Sequence, residues 1–303
     1  MLTSDWTGQG GSQPGFTWWR RLAVYSTLVV LVNAMLPAAA GAKPTRSLVL
    51  GHGIVLSLNR FGAIAAVKMK KHTIIENALI SGVALAPSTG QQKGGNLGYF
   101  QAWGDVGGNH AVIRREKQHG YHVQGLLLPK GQAGSHRIDF IVQYKNTARG
   151  KLNVRVHLQY HAAMTWSQSM RYDCDFPVRE FVGGHCIIEK ADHTIIRARI
   201  GAQPMHLLNW GDRAIWLQKH KTCLKITPTH GSQLQLLDAR GWHEQVLVVR
   251  IIEKQPWRAG LQKTLAHARQ VFGASIDFRA TLPAVPIKKT GISHSHAGDR
   301  QQQ

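Results

Sequence analysis

Asp173 and Asp175 stand two residues apart in the run Arg171-Tyr172-Asp173-Cys174-Asp175-Phe176. If that run is extended, both carboxylates lie on one face, about 7 Å apart along the strand. A pair so placed, followed closely by Glu180 and His185, has the residue types to act as acid and base on a glycosidic bond. The competing reading is a polar turn whose carboxylates pair with Arg171 and Arg179. Carboxylates are scarce in this chain, 16 Asp+Glu against 37 Lys+Arg, so their gathering here makes the segment the first catalytic candidate.

A second group lies on the polar side of a strand. Leu152, Val154, Val156, Leu158 and Tyr160 alternate with Asn153, Arg155, His157, Gln159 and His161. A period of two over ten residues gives one apolar and one polar face. The polar face presents two imidazoles, a guanidinium and two amides, which suit anionic or polyhydroxylated ligands. His157 and His161 do not share a metal on this reading, because four strand residues span about 13 Å. The plain alternative is a solvated face of an antiparallel sheet. Trp103-Gly104-Asp105 and Trp210-Gly211-Asp212 each set an indole beside a carboxylate in a turn. Aromatic faces pack on sugar rings and a neighbouring carboxylate binds hydroxyls, although a tryptophan capping a core would read the same way.

The elements that must position these residues read as short strands separated by turns, from Ser47–Leu50 through Val246–Glu253. Lys130-Gly131, Asn146 to Gly150, His230-Gly231 and Arg240-Gly241 supply the turn chemistry. Many strands at short spacing predict an all-β fold, a large antiparallel β-sandwich. Leu261, Leu265, Ala268 and Phe272 fall near helical spacing and predict one short helix near the C-terminus. Residues 86 to 110, rich in Gly, Gln and Asn, read as a long loop.

Trp18-Trp19-Arg20-Arg21, the apolar run Leu22 to Leu36, and Pro37-Ala38-Ala39-Ala40-Gly41-Ala42 follow the order of a secretory signal peptide. The expected organisation is therefore a leader over 1–42, one sandwich domain over 43–283 and a disordered tail over 284–303. The protein is expected to be exported, periplasmic or extracellular, with no membrane span in the mature chain. An uncleaved anchor is the alternative. The formal charge is +21, which bears on partners rather than fold. Anionic polysaccharide or another anionic polymer is the expected partner. Nucleic acid comes last, since no motif for reading it is present. The competing explanation is adaptation to an acidic medium. An exported chain permits a disulfide, and Cys174 and Cys186 could be bridged across Pro177 and Gly183-Gly184 or stay as thiols, with Cys223 left over. Nothing in the spacing calls for a metal or a cofactor.

The stretch Ile54 to Val67, followed by Ile74-Ile75-Glu76-Asn77, and the late run Val246 to Glu253 with Pro256 to Gly260 together resemble galactose-mutarotase-like supersandwich domains. The resemblance implies a large antiparallel sandwich with a carbohydrate-facing concave sheet, and it carries over no catalytic set. The expected function is binding of carbohydrate or anionic polysaccharide. The alternatives are a hydrolase using Asp173 and Asp175, a non-catalytic envelope scaffold, or a lyase of uronic polymers. In the lyase, Arg155 or Asn153 would neutralise the sugar carboxylate and His157 or Tyr160 would take the proton, His157 being the better placed because Tyr160 is on the opposite strand face.

Overall fold

The computed structural model describes residues 46–85, 96–101, 110–116, 120–128, 136–205, 209–254 and 262–283. The chain begins with six strands: β1 (Arg46–Gly51), β2 (Ile54–Leu58), β3 (Ile64–Met69), β4 (His72–Ile75), β5 (Asn77–Leu85) and β6 (Asn96–Gln101). Four strands of a second sheet follow: β7 (His110–Glu116), β8 (Gly120–Leu127), β9 (Ile138–Ala148) and β10 (Lys151–Tyr160). The long β11 (Met164–Pro177) returns to the first sheet and runs into a four-residue helix, α1 (Val178–Phe181). The remaining strands are β12 (His185–Glu189), β13 (Ile195–Arg199), β14 (Asn209–Asp212), β15 (Ala214–Lys219), β16 (Thr222–Thr229), β17 (Ser232–Asp238), β18 (Val246–Glu253), β19 (Gln262–Thr264) and β20 (Arg269–Asp277).

Among the described residues these strands form two antiparallel sheets, as the sequence predicts. The first has eleven strands along the path β1-β2-β3-β5-β11-β18-β17-β14, with β4, β6 and β19 pairing at its sides. The second has nine in the order β13-β12-β15-β16-β20-β10-β9-β8-β7. Each inward face is read off the period of two. Leu152, Val154, Val156, Leu158 and Tyr160 of β10 are buried, as are Tyr172, Cys174 and Phe176 of β11, and all belong to one continuous core cluster. Hydrogen bonds also cross that core. The Tyr144 hydroxyl on β9 bonds Gly62 O and the Tyr172 hydroxyl, each at 3.0 Å, so the buried phenols keep partners.

The turn between β2 and β3 shows how closely the two layers fit. Asn59 is buried, and its Oδ1 accepts from Phe61 N at 2.9 Å and Ala63 N at 3.1 Å. Gly62 then adopts φ +77°, and a Cβ on it would lie 2.1 Å from Val123 Cγ1 of the opposite sheet. Histidine takes on a similar backbone task elsewhere. Of the seven described non-glycine residues with positive φ, six are His52, His193, His220, His230, His243 and His267. Histidine is among the residue types enriched in this region.

Three expectations need correction. Residues 262–277 carry no helix: Gln262–Thr264 and Arg269–Asp277 are strands, and the helix lies instead at Val178–Phe181. The apparent helical spacing of Leu265, Ala268 and Phe272 was coincidental. Leu265 is exposed, while Phe272, Ala274 and Ile276 point inward at strand period. The stretch 86–110 is not wholly a loop, because Asn96–Gln101 pairs with β5. The 209–212 segment is a strand at the edge of the first sheet and not a turn. Of the two states left open for Cys174 and Cys186, the structure has the thiols: both are buried and free, on different sheets.

Candidate functional site

Because Tyr172, Cys174 and Phe176 are buried in the core, Arg171, Asp173 and Asp175 project from the other face of the eleven-stranded sheet. Antiparallel register brings their neighbours in. Ser81, Leu79 and Asn77 of β5 stand opposite Arg171, Asp173 and Asp175. On the other flank, Arg250 and Val248 of β18 stand opposite Asp173 and Asp175, and Gln235 of β17 stands opposite Arg250. Directly opposed residues share a face, so one polar row crosses four central strands.

Asp173 sits between two guanidinium groups. Its Oδ2 accepts from Arg171 Nε at 2.9 Å and Ser81 Oγ at 3.0 Å, and its Oδ1 lies 3.4 Å from Arg250 Nε. Arg171 is buried, with its side chain 8% exposed. Asp175 has a different environment. Its Oδ2 accepts from Asn77 Nδ2 at 2.8 Å. Burial, with the Asp173 charge beside it, pushes its carboxyl up to about 8, against the pull of the Asn77 hydrogen bond. Asp175 therefore holds its proton at neutral pH and can donate. Glu244, further along the same face, is also raised by burial, opposed by Arg250. Asn77 Oδ1 and Gln235 Oε1 are buried with no hydrogen-bond partner. An apolar patch of Leu237, Ala239, Val246 and Val248 adjoins the row. The row thus holds a proton donor, a paired carboxylate and two buried amide oxygens beside a buried apolar cluster, residue types that can bind hydroxyl and C–H groups.

The structure joins Asp173 and Asp175 on one face, as the spacing predicts, but with partly different partners. Arg179 pairs with Glu76 at 3.4 Å and Glu180 at 3.9 Å, away from the aspartates. Arg250, Ser81, Asn77 and Gln235 were not among the sequence candidates. Each comes from a strand distant in sequence, and the strands β5 and β17 are not legible as strands by alternation alone.

The stripe on β10 lies on the other sheet, so the two candidate groups do not meet. Asn153, Arg155, His157 and Gln159 are half-buried on the face away from the core. Two members of the stripe are engaged in structural contacts. Gln159 Nε2 donates to His267 O at 2.9 Å and its Oε1 accepts from Arg269 Nε at 2.7 Å. His161 Nε2 lies 2.7 Å from Asp139 Oδ2. Tyr160 is on the opposite face, buried, with its hydroxyl donating to Gln270 Oε1. Trp103 and Asp105 lie outside the described residues. Trp210 and Asp212 belong to β14, whose backbone pairs with β17. Among the described residues no group of three or more His, Cys, Asp or Glu is placed to hold a metal ion.

No protein-family model and no curated protein matches this sequence. Solved structures do. The Slr1438 protein from Synechocystis sp. PCC 6803 is 11% identical, with a TM-score of 0.51 over 80% of this chain and 99% of that one. The likeness is one of fold. The structure is also similar to the galactose mutarotase related enzyme from Lactobacillus acidophilus, at 10% identity and TM-score 0.48 over 80% of this chain and 100% of that one. Similarity extends to the GalM/aldose epimerase homologue from C. elegans, at 10% identity and TM-score 0.48 over 74% and 95%.

Proposed function

We propose that this protein binds carbohydrate on the Asp173–Asp175 face of the eleven-stranded sheet. One observation carries the reading. A carboxyl that keeps its proton at neutral pH lies next to a carboxylate held between Arg171 and Arg250. A ligand whose every hydroxyl both donates and accepts meets both kinds of group there. The supersandwich resemblance supports a sheet face as the sugar surface, since it implies a sheet turned toward carbohydrate. A hydrolase is the second reading, because a carboxyl with a pKa near 8 has the protonation state of a general acid. Asp173, however, gives its oxygens to two arginines and a serine, which weakens it as base or nucleophile and favours binding over turnover. The uronic-polymer lyase would use the other sheet and predicts an unsaturated product.

A glycan array with wild type and Asp173→Asn, run beside reducing-sugar and ultraviolet product assays, tests these readings. The expected result is neutral-glycan binding that weakens at least tenfold in Asp173→Asn, with no product released. Turnover lost in Asp175→Asn would replace binding with hydrolysis, ultraviolet product lost in His157→Ala would select the lyase, and absence of glycan binding would overturn the proposal. The order of residues 1–42 supports export with cleavage near Ala42. The protein recovered outside the cytoplasm is expected to lack residues 1–42 by intact mass, and a mass that retains them would make the segment an anchor.

A further inference from the structure

The outward face of the nine-stranded sheet carries an arrangement that the sugar reading does not use. Arg114 on β7 stands opposite His122 on β8, His122 opposite Gln143 on β9, and Gln143 opposite Arg155 on β10. Beyond Arg155 the row continues to Gly273 on β20 and Thr229 on β16. Neighbouring strands lie about 4.8 Å apart, so this is one band across six strands. Asn153 and His157 flank Arg155 on its own strand and the same face, and His230 follows Thr229 in the turn after β16. Gly273 leaves the position beside Arg155 without a side chain. A Cβ there would lie 3.2 Å from Arg155 Cα.

The electrostatics of the band are unbalanced. Arg155 Nε is buried with no hydrogen-bond partner, and no carboxylate pairs with Arg155 among the described residues. The acids of this sheet nearest the band are committed elsewhere: Glu116 to Lys145 at 3.4 Å, Asp277 to Lys151 at 3.2 Å, and Asp139 to His161 at 2.7 Å. Burial and then the Arg155 charge hold both His157 and His230 below the usual imidazole range, with His230 and His122 adding to the effect on His157. A half-buried guanidinium among three imidazoles, with its opposite charge missing, is the complement of an oxyanion.

We propose that this band binds the sulfate or phosphate group of an anionic polymer, with Arg155 as the charged anchor and His122, His157 and His230 around it. The site lies on the sheet opposite to the one proposed for neutral sugar, and the two stand or fall separately. An arriving anion gives Arg155 its missing partner and offsets the Arg155 charge that, after burial, disfavours protonation of His157 and His230. The groups facing His157 are Arg155 and Gln159 on its own strand, Asp139, Ile141 and Gln143 on β9, His122 on β8, Arg269, Val271 and Gly273 on β20, and His230 from the turn. Of the carboxylates only Asp139 is among them, and it is bonded to His161. Affinity therefore rises as pH falls and the histidines become charged.

The test is titration of a heparin hexasaccharide and of inorganic sulfate into wild type, Arg155→Gln, Lys221→Gln and Asp173→Asn, at pH 5.5 and pH 7.5 and two salt concentrations. Lys221 is an exposed turn residue and controls for net charge. Heparin binding is expected to be tighter at pH 5.5, to fall at least tenfold in Arg155→Gln, and to fall less than twofold in Lys221→Gln and in Asp173→Asn. Sulfate alone moving the His157 imidazole resonances shows a site for the single anion. Movement by heparin alone shows a site that needs the polymer. Either response supports the proposal, while no movement by either ligand overturns it. Equal losses in Arg155→Gln and Lys221→Gln would leave only non-specific charge and also overturn it. Should Arg155→Gln misfold, the triple variant His122→Gln, His157→Gln, His230→Gln keeps the anchor and is expected to lose the pH dependence. Retention of that dependence would sink the assignment.

Discussion

Asp175 concentrates the residue-scale chemistry. Its carboxyl rises from 3.8 to about 8 on folding, so between those values the folded chain binds more protons than the unfolded one. Stability then falls as pH rises through that window. Asp175→Asn keeps an oxygen to accept from Asn77 and removes the titration. Thermal melts of wild type and Asp175→Asn should converge near pH 4 and separate toward pH 8, with the variant the more stable. Parallel curves would place the proton elsewhere. The pairing of Asp173 with Asp175 was legible because residues two apart on an extended chain share a face whatever surrounds them. Their partners were not: Asn77, Ser81, Gln235 and Arg250 reach the row through strand register, a tertiary property that the local pattern of any one strand leaves open. The stripe on β10 was legible for the same local reason. The commitment of Gln159 to the His267 turn and of His161 to Asp139 could not be read, because it depends on chain returning from over a hundred residues away in one case and on a neighbouring strand in the other.

At the scale of elements, β20 shows how a local pattern can mislead. Its helical spacing was apparent only on one side, whereas the strand period runs through Phe272, Ala274 and Ile276. Gly273 marks the true constraint, since a Cβ there would meet Val154 O at 2.3 Å. A backbone oxygen in a central strand cannot step aside without parting β10 from β20. Gly273→Ala is expected to destabilise the fold by about 2–3 kcal/mol or more, measured by urea denaturation, and a change within 0.5 kcal/mol would show that the strands have slack. A second tie fixes the segment before β14. Asp238 accepts from Arg240 Nη2 at 2.6 Å and from Met205 N at 2.7 Å, while Arg240 Nη1 donates to Gly201 O at 2.7 Å. Both side chains are nearly inaccessible, at 5% for Arg240 and 0% for Asp238. The Arg240-Gly241 turn was readable in the sequence. The buried ion pair inside it was not, because burial comes from the covering chain.

The whole molecule is strongly basic, and its histidines decide how it meets acid. Arg197, Arg213 and Arg279 approach ring nitrogens of His185, His193 and His52 at 3.3, 3.0 and 2.9 Å. Such contacts are hydrogen bonds only while the imidazole is neutral. Burial first, then nearby arginines, lowers His157, His185 and His230 from 6.5. Below that value the folded state binds fewer protons than the unfolded state, so stability falls as pH drops. Melting temperature is therefore expected to decline from pH 6.5 to pH 4.5, part of it offset by the opposite trend of Asp175. A melting temperature that climbs throughout that range would favour adaptation to an acidic medium as the reason for the basic charge. The sandwich itself was the most legible property, because alternation and turn residues recur along the whole chain. Which strands join which sheet is a matter of long-range pairing that no local signal carries.

That pairing has a consequence for how the chain comes into being. In the nine-stranded sheet the last of the described strands, Arg269–Asp277, lies between β10 and β16. Until that strand has emerged, the sheet exists only as two fragments, β7 to β10 and the set β13-β12-β15-β16, each with an open hydrogen-bonding edge. In the other sheet β18 fills the same place between β11 and β17. Synthesis from the N-terminus therefore cannot complete either layer early, and an interrupted chain presents sticky strand edges to its neighbours. Until β18 and β20 have emerged, neither sheet is continuous from edge to edge.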